Sequence, residues 1–569
     1  MRRRTGKRLV VLLIAMLFAF GGIAVRLATL QVGDHQLSAI GLDQRVRTID
    51  LPAARGRILD RSGVPLAITL DARDLYANPE LVTDPELEAE QLARILGLKP
   101  KDVRAALEAE GTFTYVARQV DLDVARSVED LHLAGIGFLS APKRYYPAGA
   151  LAAQVLGFVG IDGTGLAGLE RQFETELAGT PGERTVEVAP DGQPIAQGIN
   201  AETEPIDGVS LRTTIDRDIQ FQAQQALARA VRDNGAKAGT VIVMVPRTGD
   251  ILAMASFPSF DPNRFADSDP DRWRNRAVTD AFEPGSVNKI ITAAAALESR
   301  TVSLTQTFQV PGSMQVDEYT IHDSHPHPVE TMMLSDIVAE SSNIGIAKVA
   351  GVMGEATLAS YMNRFGFGRT TGLGFPGESD GIVPALEDWS DASLATIAYG
   401  QGISVTPLQM TTVYATIANG GIWVQPRLVS GTVDDTGAFT PASPSPSHRV
   451  IEAQTAATLT QMLAYVVEGG TGTTAQIPWY QVAGKTGTAL KPSPNGGYYS
   501  DRYVASFMGF LPAGRPRVII AAILDEPATV YGGIAAAPLF QQVARYVIQK
   551  LGIPTADQLS APPHVLGTP

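Results

Sequence analysis

The 569-residue chain contains no cysteine, which excludes a disulfide framework and a thiolate metal site alike. Histidine is scarce, and residues with metal-ligand chemistry gather in one place only, His322, Asp323, His325 and His327. Pro326 and Pro328 keep that backbone extended, so alternate histidines can face one way. A zinc centre also needs a defined fourth ligand and supporting partners, so the cluster reads as a solvated loop, and neither metal nor cofactor is expected. Positive charge is in deficit: the formal net charge is -13, and because the first eight residues contribute +5 the remainder carries -18. That balance argues against nucleic acid and against a broad anionic-lipid surface as partner.

Long apolar runs are equally rare. The one present spans Leu9 to Val25, is interrupted by Arg26 and trails on to Val32, directly after Arg2, Arg3, Arg4, Lys7 and Arg8. Its uninterrupted part covers about 25 Å as a helix, enough for a hydrocarbon core if Arg26 snorkels. No small-x-small cleavage site with a polar start follows, so an uncleaved anchor is expected over a signal peptide. The basic cluster keeps residues 1–8 in the cytoplasm and sends the rest across. A chain of this length is too long for one core and implies two or three domains.

The stretch Glu283-Pro284-Gly285-Ser286-Val287-Asn288-Lys289 precedes a small-residue apolar run from Ile290 to Leu297 that reads as a buried helix. Ser286 and Lys289 are three residues apart, so on a helix their side chains share a face. A serine hydroxyl needs a neighbour to take its proton as it attacks. A lysine can serve only when neutral, which means lowering its pKa from about 10.4 towards 7 or 8, roughly 4 kcal/mol. Further on stand Ser341-Ser342-Asn343, and Lys485-Thr486-Gly487-Thr488 within the strand-like stretch Val482 to Leu490. Each motif alone fits a helix cap or a turn.

Together, S-x-x-K, S-x-N and K-T-G in this order resemble the penicillin-recognising serine transferases and hydrolases. The resemblance covers most of the chain. It implies an α+β fold: a single N-terminal transmembrane helix (9–32), an elongated α/β pedestal (45–205), a transpeptidase domain built on a five-stranded antiparallel sheet flanked by helices (206–551), and a flexible tail (552–569). It also implies that Ser286 is the nucleophile and Lys289 its base. Ser341 relays protons and Asn343 binds the substrate amide. Lys485 is a catalytic residue that supplies positive charge, Thr486, Gly487 and Thr488 bind substrate, with the two threonines taking its terminal carboxylate, and the N–H groups of Ser286 and Thr488 form the oxyanion hole. Gly487 is read as leaving room for the acyl chain. Arg369-Thr370-Thr371-Gly372 and Gly470-Thr471-Gly472-Thr473 are set aside as decoys, the first lacking lysine, the second lacking strand character.

Arg55-Gly56-Arg57-Ile58-Leu59-Asp60-Arg61-Ser62-Gly63 resembles the R-G-x-I-x-D-R-x-G signature of class B penicillin-binding proteins; on its own it reads as a strand and turn with solvated arginines. Gly165 to Leu177 reads as one helix, and Tyr399 to Gln409 as helix packing behind the site. With Arg144-Tyr145-Tyr146-Pro147 and Gly179 to Thr185, the latter stretch looks more like the septal, FtsI-type branch than the elongation branch. The resemblance thus implies a peptidoglycan D,D-transpeptidase acting on D-Ala-D-Ala stem peptides and acylated by β-lactams. Its setting is the bacterial inner membrane, catalytic domain in the periplasm, with a SEDS-family glycan polymerase (FtsW type) and other division proteins as partners. An elongation enzyme and a catalytically silent division scaffold remain as alternatives.

Overall fold

The computed structural model describes residues 2–33, 45–188, 195, 198–494 and 496–555; the tail expected from Gly552 lies outside the described residues from 556 on. Among the described residues, one helix is long and apolar enough to cross a membrane: within Arg2–Gly33, the 24-residue span Gly6–Thr29 is exposed along its whole length. Such a span rises about 36 Å, more than a hydrocarbon core requires.

The chain divides into two compact units. One takes residues 1–54 and 179–207, and holds a three-stranded antiparallel sheet in the order Val46–Leu51, Gly182–Glu187, Asn200–Thr203.

The other takes residues 55–178 and 208–569. Its first part is organised by the 13-residue strand Pro65–Ala77, which pairs with Ile58–Leu59, with Thr114–Asp121 and, over ten residue pairs, with Ile136–Tyr145. A helix runs Pro85–Leu96. Asp84 accepts from the Leu87 N–H, Pro85 opens the first turn and Gly97 closes the helix in the left-handed region, the cap chemistry its sequence announces. Leu92, Val103, Leu107 and Val128 from three helices close a small core on Leu75.

Arg57 and Arg61 are exposed as expected, but Arg55 is not. Its guanidinium donates to Glu170 at 2.6 Å and Glu174 at 2.7 Å, while Arg144 donates to the other Glu170 oxygen at 2.7 Å. The single helix expected over Gly165 to Leu177 is two, Gly168–Gln172 and Glu174–Ala178, broken at Phe173, whose φ of -112° and ψ of 35° leave the helical region. Leu169 and Leu177 still reach the core.

The remainder builds an antiparallel sheet in the order Ile251–Phe257, Ala238–Met244, Val518–Asp525, Tyr498–Leu511, Ala483–Pro492. This is the five-stranded sheet expected of the fold. Alternation sorts its side chains into two layers. Val241, Val243, Ile520 and Ala522 pack with Ile219 and Leu227 of Arg217–Asp233 and Phe540 and Val543 of Ala537–Leu551. Ile242, Met244, Ile519 and Ala521 pack with Ile290 and Ile291 of Lys289–Glu298 and Val413 and Tyr414 of Pro407–Ala418. Both faces are covered, so the inner strands Ala238–Met244 and Val518–Asp525 are nearly continuous apolar runs.

Glu170 is fully buried and pairs with two guanidinium groups that are themselves nearly buried. In Glu170→Ala the buried Arg144 loses its counter-charge and Arg55 keeps only Glu174, and a loss on the order of 3–5 kcal/mol is expected. It is read as a lowered thermal midpoint in differential scanning calorimetry; an unchanged midpoint would contradict the pairing.

Candidate active site

Pro284 and Gly285 end the segment that bridges Phe282 to Val405 through two backbone hydrogen bonds. Gly285 has φ +57°, and a Cβ there would stand 2.9 Å from the Thr488 carbonyl oxygen. Glycine is therefore required both for the left-handed turn and for contact with the neighbouring strand. Ser286 then lies not in the α-helix itself but in a 3-10 turn, Gly285–Asn288, that hands over to the helix Lys289–Glu298. In a 3-10 turn positions i and i+3 eclipse, and Lys289 Nζ comes to 3.0 Å from Ser286 Oγ.

Lys289 is fully buried. Its amine donates to the Ser341 carbonyl and to Asn343 Oδ1 at 2.7 Å, and lies 3.1 Å from Ser341 Oγ. Asn343 turns its amide nitrogen to the His322 carbonyl at 3.0 Å, which leaves its oxygen for the lysine. Both carbonyl-type oxygens can only accept, so they consume the two N–H bonds of a neutral amine and leave its lone pair for the Ser286 hydroxyl. Burial pulls the Lys289 pKa well below its ordinary value, the charge of Lys485 pulls it further and Asp323 opposes. Lys485, in the strand Ala483–Pro492, is also buried, places Nζ 2.8 Å from Ser341 Oγ, and is pushed down by burial to about 7.

Ser341 thus stands between two amines. It occupies the left-handed region, φ +62°, an uncommon conformation for serine, which aims Oγ and the carbonyl together at Lys289. Ser342 caps the helix Asn343–Met353 by accepting from the Gly345 N–H. Behind it sits a residue that sequence reasoning assigned to a solvated loop. Asp323 accepts from the N–H groups of Asn343 and Ile344, at 2.5 and 3.1 Å, and from Ser342 Oγ at 2.7 Å, with His327 Nε2 at 3.1 Å. Its carboxylate therefore positions the S-x-N turn. The signal available in sequence was a lone acid among histidines and prolines.

All three motifs converge on one cleft of about 800 Å³, lined by Ser286, Ser341, Asn343, Thr486 and Thr488, with the two lysines buried behind. Gly487 needs a different account from the expected one. A Cβ there would stand 2.2 Å from Ser506 Oγ and 3.0 Å from Val287, so the glycine admits the protein's own side chains. Thr471, set aside as part of a decoy, lines the cleft and shares a hydrogen bond with Thr486 at 2.9 Å. The stretch Tyr399 to Gln409 is not one helix either: Gly400 and Gly402, φ +87° and +79°, form a turn between helices, and Tyr399 and Gln401 line the cleft.

Comparison with known proteins is consistent with this geometry. Residues 239–545 match the penicillin binding protein transpeptidase domain and residues 50–213 the penicillin-binding protein dimerisation domain. The chain is 38% identical over 598 residues to penicillin-binding protein PbpB of Mycobacterium tuberculosis, covering 99% of this chain and 87% of that protein. It is 33% identical over 554 residues to peptidoglycan D,D-transpeptidase FtsI of Escherichia coli, covering 95% and 91%. The crystal structure of penicillin-binding protein 3 from Mycobacterium tuberculosis, complexed with aztreonam, superposes with a TM-score of 0.71 at 34% identity, covering 92% of this chain and all of that one.

Because the charge of Lys485 holds the Lys289 pKa down, Lys485→Met is expected to raise it. NMR titration of isotopically labelled lysine checks this; an Nζ signal of Lys289 that titrates at the same pH in both proteins would contradict the coupling.

Proposed function

The chain belongs to the class B penicillin-binding proteins, and on that premise we propose that it cross-links peptidoglycan by D,D-transpeptidation through an acyl-enzyme on Ser286, at the division septum. The observation that carries the reading is Lys289 Nζ at 3.0 Å from Ser286 Oγ, with the Ser341 carbonyl and Asn343 Oδ1 accepting from the same amine. Ser286 Oγ attacks the carbonyl carbon of the D-Ala-D-Ala bond and its proton passes to Lys289. The Oγ–C bond forms, the C–N bond breaks, and the proton reaches the departing D-alanine nitrogen through Ser341, which contacts both lysines. An amine of a neighbouring stem peptide then attacks the same carbon, returns its proton through the same relay, and regenerates the serine. A β-lactam acylates Ser286 identically and stays attached through its opened ring.

The remaining roles follow from charge and position. Lys485 with Thr486 and Thr488 receives the terminal carboxylate, Gly487 lets that strand close on Ser506 and Val287, and the N–H groups of Ser286 and Thr488 receive the oxyanion, each such donor worth about 3 kcal/mol. Asn343 holds the substrate amide and Lys289 together. We assign residues 45–205 to the pedestal and 206–551 to the transpeptidase domain. The apolar span Gly6–Thr29 anchors the chain in the inner membrane. The basic residues ahead of it stay in the cytoplasm, and the catalytic domain works in the periplasm beside an FtsW-type glycan polymerase and other division proteins.

Labelling with a fluorescent penicillin tests the nucleophile: wild type is expected to form a covalent adduct that Ser286→Ala abolishes, and an adduct that survives that substitution would move the nucleophile elsewhere. Acylation is also expected to follow a bell-shaped pH profile. It falls in acid as Lys289 gains a proton and can no longer accept one from Ser286. It falls in alkali as Lys485 loses its charge, at a pH above its substrate-free value of about 7 because a bound carboxylate stabilises the ammonium. A flat profile across this range would contradict lysine as the base.

A further inference from the structure

Three backbone segments distant in sequence meet immediately behind Ser286, and they meet on one side chain. Glu283 is 7% exposed. Its Oε1 accepts from the Gly402 N–H at 3.0 Å and from the Tyr498 hydroxyl at 3.0 Å. Its Oε2 has no partner among the described residues. Two donors on a single atom make the side chain a one-point clasp. Gly402 belongs to the two-glycine turn, and that turn presses on the nucleophile: the Gly285 N–H donates to the Gly400 carbonyl at 2.9 Å, and a Cβ on Gly400 would stand 2.3 Å from the Gly285 carbonyl oxygen. Tyr498 opens the long strand Tyr498–Leu511 and pairs with Pro492, the last residue of the strand that carries Lys485 to Thr488. Glu283 therefore ties the nucleophile turn to the turn beneath it and to the far end of the carboxylate-binding strand.

We propose that Glu283 is a positioning residue for acyl transfer, setting the height of Ser286 against the strand Ala483–Pro492 through Gly402 and Tyr498. This rests on the reading of Ser286 as the acylated nucleophile. The action is geometric, since burial, Lys485 and Asp323 are what set the proton affinity of Lys289. Substituting glutamine keeps an acceptor at Oε1 and creates no more unpaired atoms than the carboxylate already has. Substituting alanine removes the acceptor shared by the Gly402 N–H and the Tyr498 hydroxyl, and with it the tie between their two segments. A shift of the reacting oxygen by a fraction of an ångström loses rate in the bond-forming step without loosening the complex that precedes it.

Stopped-flow acylation by a fluorescent penicillin separates the affinity of the pre-covalent complex from the acylation rate. Glu283→Ala is expected to lower the acylation rate at least tenfold with affinity changed less than threefold. Glu283→Gln is expected to recover the rate to within threefold of wild type. Tyr498→Phe, which removes one donor from a half-exposed ring, is expected to lose three- to tenfold at an unchanged thermal midpoint, and it carries the test if Glu283→Ala does not fold. Wild-type acylation rates in Tyr498→Phe, or in a folded Glu283→Ala, overturn the inference. So does a loss confined to affinity, or a glutamine variant as slow as alanine. If wild type itself forms no adduct, the functional reading fails and this inference with it; if wild type is acylated at Ser286 and the variants match it, only the role of Glu283 fails.

Discussion

Two buried amines lie 2.8 and 3.1 Å from one serine hydroxyl, and burial disfavours the charged form of both. Each is out of water, where an ammonium is strongly disfavoured, and each raises the cost of charging the other. Burial lowers the proton affinity of Lys289 and the charge of Lys485 lowers it further, which favours Lys289 as the neutral member. Its two N–H bonds are taken by oxygens that only accept. What remains is a lone pair directed at Ser286, which turns a poor nucleophile into a competent one.

The rest of the unit can be understood as the means of holding that arrangement. The sheet is covered on both faces, which keeps the Lys485 side chain out of water. The nucleophile helix is buried along nearly its whole length, which fixes Lys289 in position. Gly285 and Ser341 adopt left-handed backbone where the chain must turn sharply between these elements. Asp323 secures the second of those turns by binding two backbone N–H groups and a serine hydroxyl. The opposing requirements are visible in this carboxylate: it orders the S-x-N turn, yet its charge favours protonation of Lys289, and burial together with Lys485 outweighs it.

Much of this was legible before any coordinates. The S-x-x-K spacing places two side chains on one helical face whether the turn is α or 3-10, and the caps at Asp84, Pro85 and Gly97 mark a helix because their chemistry is local. The strands of the central sheet were readable because their apolar runs and turns are short-range signals. What was not legible depends on contacts between distant segments. Glu283 is one residue before a Pro-Gly turn, and nothing near it in sequence announces Gly402 or Tyr498. Asp323 lies in a loop of histidines and prolines that suggests solvent, and Thr471 was discounted for lacking a strand although its hydroxyl reaches Thr486. Arg55 looked as solvated as Arg57 because its partners lie more than a hundred residues away. Tyr399 to Gln409 contains two glycines whose positive φ breaks the helix, and Gly487 is small to fit Ser506.

Neutron diffraction from deuterium-exchanged crystals of the apo protein measures the charge on Lys289 directly. The account requires two deuterons on its Nζ, pointing at the Ser341 carbonyl and Asn343 Oδ1, and a Ser286 deuteron directed at the nitrogen. Three deuterons on Nζ, with the Ser286 hydroxyl turned away, would contradict it.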